Sequence, residues 1–244
     1  MRSCVIIPAR YSSSRFPGKP LVPLIGKPMI LWVAELSSKA VGKSNVYVAT
    51  EDSRIVDEVQ KAGFQALITS SNALTGTDRL AEAAQKIDYD IYLNVQGDEP
   101  LVEPEDIMKI RDAKILQMNK VINGFCFVSD LENPHSVNIP KVITNEKDEL
   151  IYMSRLALPG FKQKKFAPKL YKKQVCIYAF TKSELNSFKN FGRKSELEKA
   201  EDIEILRFIE LDKTIFMIET KPGSLAIDVP EDIQKVEKKL KILK

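Results

Sequence analysis

The strongest constraint on this chain is the rhythm of its first half. Short apolar runs at Cys4–Ile7, Val46–Ala49, Phe64–Ile68 and Ile91–Val95 alternate with segments whose apolar residues have helical spacing. Those segments are Met29–Ala40, Ile55–Ala62, Arg79–Lys86 and Glu103–Met118. Pro28 and Pro104 stand where a helix begins, a position at which a missing N–H costs little, and Gly63 follows the second helix as a stop. Strands joined through helices of this length pair in parallel, and the helices cover both faces of the sheet. The expected fold is α/β, a doubly wound and mostly parallel sheet.

The second half loses that rhythm. Phe125–Val128, Val142–Thr144 and Ile151–Met153 read as strands, with a turn at Asn145–Asp148. Phe161–Lys173 is a basic, proline-containing loop, and Val175–Phe180 is a further strand. Helices are expected near Ser183–Phe188 and Leu197–Phe208, late strands at Thr214–Ile218 and Leu225–Ile227, and a last helix opened by Pro230. No repeat and no Gly/Ser linker divides the chain. One domain over residues 1–244 is expected, with a β-rich subregion at about 125–180.

Composition sets limits on function. A net charge of +4 over 244 residues is too mild to argue for a nucleic-acid partner. Cys4, Cys126 and Cys176 lie in strand-like runs without C-x-x-C spacing, which favours reduced thiols in a cytoplasmic protein. Arg2, Arg10 and Arg15 interrupt any leader-like start. No apolar run approaches the ~20 residues of a membrane span, so no membrane partner is expected. The sole histidine, His135, sits in an Asn-Pro-His-Ser loop, which argues against a His-based triad or a His-rich metal site.

The chemistry concentrates after the first strand, in Ile6-Ile7-Pro8-Ala9-Arg10-Tyr11-Ser12-Ser13-Ser14-Arg15-Phe16-Pro17-Gly18-Lys19-Pro20-Leu21. Small residues let backbone N–H groups approach phosphate oxygens, and Arg10, Arg15 and Lys19 can neutralise a polyphosphate. The spacing is not that of a P-loop or a Rossmann fingerprint. Asp98 follows the fourth strand, where such a sheet places its ligand.

These residues, with Gly26-Lys27-Pro28-Met29-Ile30, Tyr47-Val48-Ala49-Thr50, Thr75-Gly76-Thr77-Asp78-Arg79 and Asn94-Val95-Gln96-Gly97-Asp98-Glu99-Pro100, carry a resemblance. Tyr152-Met153-Ser154-Arg155, Ile177-Tyr178, the segment from Leu197-Glu198 to Leu206-Arg207, and Ile227-Asp228-Val229-Pro230-Glu231-Asp232 continue it in order. The chain resembles the CMP-Kdo synthetase (3-deoxy-manno-octulosonate cytidylyltransferase) family over nearly its whole length.

The resemblance implies a nucleotide-diphospho-sugar transferase-like fold whose small β-rich insertion serves dimerisation. It implies coupling of CTP to 3-deoxy-manno-octulosonate (Kdo), giving CMP-Kdo and pyrophosphate for lipopolysaccharide synthesis. It makes Asp98 and Asp228 the Mg2+ carboxylates, and gives the leaving pyrophosphate to Arg10, Arg15 and Lys19. Pro8, Ala9, Thr77, Arg79 and Gln96 would surround the nucleotide. Asp228 read alone could also cap the last helix, and Arg79 could pair with Asp78 or Glu82 on its own helix. Arg155 would meet the sugar carboxylate, with Gln174, Tyr178, Glu198, Glu201 and Asp202 along the sugar. Tyr178 can equally be a core strand residue.

The sequence departs from the family at Gln174 (usually His), Ile205 (usually an amide) and Asp202 (usually apolar), and at an insertion around Asn138–Lys141. An added carboxylate at Asp202 could pair with an ammonium, or simply face water. The same reaction on 8-amino-3,8-dideoxy-octulosonate is therefore one alternative; the others are the same reaction on a nonulosonate and a non-catalytic nucleotide-binding protein.

Overall fold

A computed structural model describes residues 1–12, 16–130, 132–222, 225–227 and 229–242. In chain order the first half contains β1 (Ser3–Pro8), a small hairpin of β2 (Pro23–Leu24) and β3 (Lys27–Pro28), α1 (Met29–Val41), β4 (Val46–Thr50) and α2 (Ser53–Lys61). It continues with β5 (Gln65–Ile68), α3 (Gly76–Ala83), β6 (Ile91–Val95) and α4 (Pro104–Leu116). The second half holds β7 (Val121–Phe127), β8 (Lys141–Thr144), β9 (Leu150–Ser154), β10 (Lys172–Phe180) and α5 (Lys182–Asn190). It ends with α6 (Glu196–Glu201), α7 (Leu206–Glu210), β11 (Ile215–Glu219) and α8 (Asp232–Ile242).

The main sheet runs β11-β7-β10-β6-β1-β4-β5. Along this path only β10 is antiparallel to its neighbours. Strands β4 and β6 are buried at every residue, as a sheet covered on both faces requires, whereas β5 at the edge is not. Val5 and Ile7 face α1, α2 and α4 on one side, through Ile30, Ile55 and Ile107. Cys4 and Ile6 face α3, α5 and α7 on the other, through Leu80, Leu185 and Phe208. Each such fully buried Ile, Leu or Phe contributes about 1.5–3 kcal/mol relative to exposure. Val236 and Leu240 of α8 close a third cluster with Leu24, Met29 and Trp32. The β-rich subregion is continuous with this sheet, since β8 pairs with β10 and with β9. No helix among the described residues is long and apolar enough to cross a membrane.

Several elements differ from the sequence expectation. Leu225–Ile227 forms no ladder, because the Ile227 N–H is taken instead by the carbonyl of Asp98 at 3.0 Å. The helix expected over 197–208 is two helices, broken where Asp202 adopts left-handed φ 50°. α3 starts before Arg79, because the Thr75 side chain accepts from the Asp78 N–H at 3.1 Å and caps Gly76 onward.

Candidate active site

Strands β1, β4, β5 and β6 are mutually parallel and end on one edge, the position of the ligand crevice in a doubly wound sheet. Pro8, Ala9 and Arg10 leave β1, and Gln96, Gly97 and Asp98 leave β6 beside them. A Cβ on Gly97 would stand 2.9 Å from the Pro8 carbonyl oxygen, so only glycine permits the two turns to approach this closely. Ala9 is held by its N–H on the Ala49 carbonyl at 2.9 Å, and Arg10 beyond it is exposed.

Lys19 reaches across from the next loop. Its Nζ donates to Asp98 Oδ2 at 2.7 Å and to the Ile227 carbonyl at 2.9 Å. The two side chains are partly exposed, at 18% and 26%. Gly18, at φ 72°, makes the turn that delivers this lysine, and its N–H donates to the Tyr11 carbonyl at 2.9 Å. The Ile227 backbone thus contacts both members of the Lys19–Asp98 pair. Asp228, next in sequence, and Arg15 both lie outside the described residues. Mg2+ is usually bound by one or two carboxylates completed by substrate phosphates and water, and Asp98 at the crevice floor fits that mode. No cluster of three or more potential metal ligands occurs among the described residues.

Arg79 pairs with neither Asp78 nor Glu82. It is 4% exposed and forms an ion pair with Glu51 at 2.8 Å, donating also to Thr69 Oγ1 at 2.5 Å and the Ser70 carbonyl. Burial lowers its pKa while Glu51 opposes the shift. Glu51 in turn accepts the Tyr11 N–H at 3.1 Å, so Arg79 braces the loop after β1 from behind. The Tyr11 ring lies under the Arg54 guanidinium, 3.3 Å from centroid to carbon. Glu51 was not legible in the sequence, where it reads as the first polar residue after a strand.

On the other side of the crevice Glu204 joins three segments. It accepts the Thr77 N–H and the Gln96 amide, both at 2.9 Å, and burial raises its pKa. Three residues on, Arg207 is fully buried and donates to both oxygens of Glu198 and of Asp78, at 2.7–3.1 Å. Its guanidinium stacks on Phe188, and Asp78 also accepts the Thr75 hydroxyl at 2.7 Å. Glu198, expected along the sugar, is 1% exposed and closes a capping box with Ser195. It is an internal anchor, enclosed by Arg207.

The remaining sugar-side candidates also have protein partners. The Arg155 guanidinium donates to the carbonyls of Val137, Glu201 and Asp202, which ends α6. Glu201 accepts the Arg155 N–H at 2.8 Å and the Tyr152 hydroxyl at 3.3 Å. Gln174 donates to Asn123 and to the Tyr178 hydroxyl, both at 3.2 Å, and is half-buried. Tyr178 is a core strand residue, 2% exposed and stacked on Phe180, and burial raises its pKa. Ile205 is buried in the same core. The Asp202 carboxylate is 68% exposed and lies 3.5 Å from Lys194 and 3.8 Å from Arg155. It faces solvent rather than a desolvated pocket.

A crevice of this kind, with a cation-rich loop after β1 and a carboxylate after β6, is shared with known proteins. The sequence profile of the cytidylyltransferase family matches residues 4–218, and the chain belongs to that family. A 3-deoxy-manno-octulosonate cytidylyltransferase of Geobacter metallireducens is 40% identical over 98% of both chains. An 8-amino-3,8-dideoxy-manno-octulosonate cytidylyltransferase of Shewanella frigidimarina is 38% identical over 99% of this chain and all of the relative. Among solved structures, a CMP:2-keto-3-deoxy-manno-octonic acid synthetase complexed with CTP superposes with a TM-score of 0.92 at 33% identity, over 100% of both chains. The chain is a nucleotidyltransferase, and the fold is that of the nucleotide-diphospho-sugar transferases.

Proposed function

We propose that this protein transfers the cytidylyl group of CTP to the anomeric hydroxyl of 3-deoxy-manno-octulosonate, releasing pyrophosphate and supplying lipopolysaccharide synthesis. The observation that carries the proposal is the Lys19–Asp98 pair at the shared strand edge. The hydroxyl oxygen bonds to the α-phosphorus and the bond to the pyrophosphate oxygen breaks. Both reactants are anions, so positioning and charge neutralisation are the main demands on the protein. Arg10, Arg15 and Lys19 hold the departing pyrophosphate, and Ala9, Thr77 and Gln96 border the base and ribose. Asp98 and Asp228 would hold Mg2+, which when bound supplies Lewis-acid neutralisation at the phosphate.

The same transfer to the 8-amino sugar is the second reading. Gln174 gives its amide to Asn123 and Tyr178, which leaves its carbonyl oxygen to accept from a ligand ammonium. Pyrophosphate release with CTP, Mg2+ and either sugar, with a nonulosonate as control, separates the two. Release with none of them would sink both readings.

We assign a homodimer built through the β-rich subregion, supported by the exposed Ile151, Val137 and Leu156. A monomeric mass by light scattering at micromolar concentration would contradict it. The free cysteines suit the reducing cytoplasm.

A further inference from the structure

The two ends of the chain meet at the Lys19–Asp98 pair. Ile227, shortly before α8, accepts from Lys19 Nζ at 2.9 Å through its carbonyl and donates its N–H to the Asp98 carbonyl at 3.0 Å. The Ile227 side chain lies in the third core cluster with Val236 and Leu240 of α8, with Leu24 and Trp32, and with Leu101 beyond β6. Phe16, from the loop after β1, packs against the same cluster. α8 thus backs the segments that bring Lys19 and Asp98 together.

A polar bond adds to this packing. β2 and β3 are joined by the turn Ile25-Gly26, with φ 49° and 80°, the twist that a tight hairpin needs. Glycine takes positive φ freely, but a β-branched residue does so only at a cost. Two contacts offset it at Ile25. Its side chain packs against the third cluster, and its N–H is accepted by Oε1 of the half-buried Glu237 of α8 at 2.8 Å. From the turn the order runs back to Lys19. Trp32 Nε1 donates to the Leu24 carbonyl at 3.0 Å, the Met29 N–H to the Val22 carbonyl at 2.9 Å, and the Val22 N–H to the Lys19 carbonyl at 3.2 Å.

We propose that Glu237 is a positioning residue for the transfer: by fixing the Ile25 turn against α8 it holds the Lys19 segment and the Ile227 backbone in the arrangement that keeps Lys19 at Asp98. Glu237 acts through these groups and not on the substrates. The inference rests on the cytidylyl-transfer reading, in which Lys19 faces the departing pyrophosphate. A loosened Lys19 then slows the bond-breaking step more than it weakens CTP binding, and a displacement of about 1 Å at such a group costs up to ~100-fold in rate.

The test compares variants of the whole protein by pyrophosphate release with CTP, Mg2+ and the sugar that wild type accepts. It also follows the fluorescence of Trp32, the sole tryptophan, which is 9% exposed in the same cluster. Glu237→Leu removes the acceptor, Glu237→Asp keeps the charge on a shorter arm, and Glu237→Gln keeps both the reach and an acceptor oxygen. In the Leu and Asp variants kcat is expected to fall about tenfold or more, with KM for CTP changed less than ~twofold and Trp32 emission shifted to the red. Glu237→Gln is expected to stay within about threefold of wild type, with wild-type emission. Where Glu237→Leu does not fold, the Asp and Gln variants carry the same comparison. Wild-type kcat in the Leu and Asp variants, with or without a loss of stability in urea, would overturn the proposal and leave Glu237 an ordinary anchor of α8. A Gln variant as slow as the others, or a change confined to KM for CTP, would also overturn it. If wild type releases no pyrophosphate with any of the sugars, the transfer reading falls and this inference with it. An active wild type with unaffected variants sinks the inference alone.

Discussion

The two walls of the crevice treat charge in opposite ways. On the wall proposed for the nucleotide, Arg10 is exposed and the Lys19–Asp98 pair is partly open to solvent. On the wall proposed for the sugar, Arg155, Glu198 and Glu201 are already bonded to protein, and Arg207 is sealed between two carboxylates. The first wall presents exposed charge beside the largely buried pair Arg79–Glu51. The second holds its charges in bonds within the protein.

The comparison can be broken at its largest effect first. Asp98→Asn is expected to leave a folded protein whose kcat falls by about a thousandfold or more. A rate near wild type at saturating CTP and Mg2+ would remove the poised pair from the chemistry. Arg207→Met leaves Glu198 and Asp78 buried without a cation and is expected to lose about 3–5 kcal/mol in urea unfolding. A loss below ~1 kcal/mol would show that this wall is not held by its ion cluster. Arg155→Ala unpairs the carbonyls that end α6 and is expected to lose about 1–3 kcal/mol, with KM for CTP changed less than ~twofold. A rise confined to KM for the sugar, without loss of stability, would make Arg155 a ligand and not a brace.

The pH dependence sharpens the contrast. Burial raises the Glu204 carboxyl above its ordinary 4.5, so the folded state holds that proton more tightly than the unfolded one. Its stabilising contribution is complete below 4.5 and is lost as pH rises through the folded value. Glu204→Gln is expected to flatten the fall of stability with rising pH in that window, measured as Tm against pH. An unchanged slope would rule out Glu204 as the group responsible. The smallest effect belongs to Asp202. Its exposed carboxylate is screened, so Asp202→Asn is expected to shift stability by less than ~0.5 kcal/mol and to leave the preference between amino and hydroxy sugar unmoved. A tenfold change in that preference would return Asp202 to the pocket.

What the sequence revealed follows the same division. The first four strands and their helices were legible because each buries a regular face, and the residues at their ends fell where the sheet places its ligand. Glu51 and Glu204 were not, since each acts through partners far off in sequence, Arg79 and Tyr11 for one, Gln96 and Thr77 for the other. The break at Asp202 was hidden because an unbroken helical spacing runs from Leu197 to Phe208, while the carbonyls that stop α6 are taken by Arg155 from another element. Ile227 read as a strand for its apolar pattern, but its backbone serves Asp98 and Lys19.

The central claim is that this crevice moves a cytidylyl group between two anions. Phosphorus NMR of the protein with CTP, Mg2+ and 3-deoxy-manno-octulosonate tests it directly. The expected result is loss of the triphosphate signals with matching growth of pyrophosphate and one phosphodiester, abolished in Asp98→Asn. Unchanged CTP, or its conversion to CDP and inorganic phosphate, would contradict it.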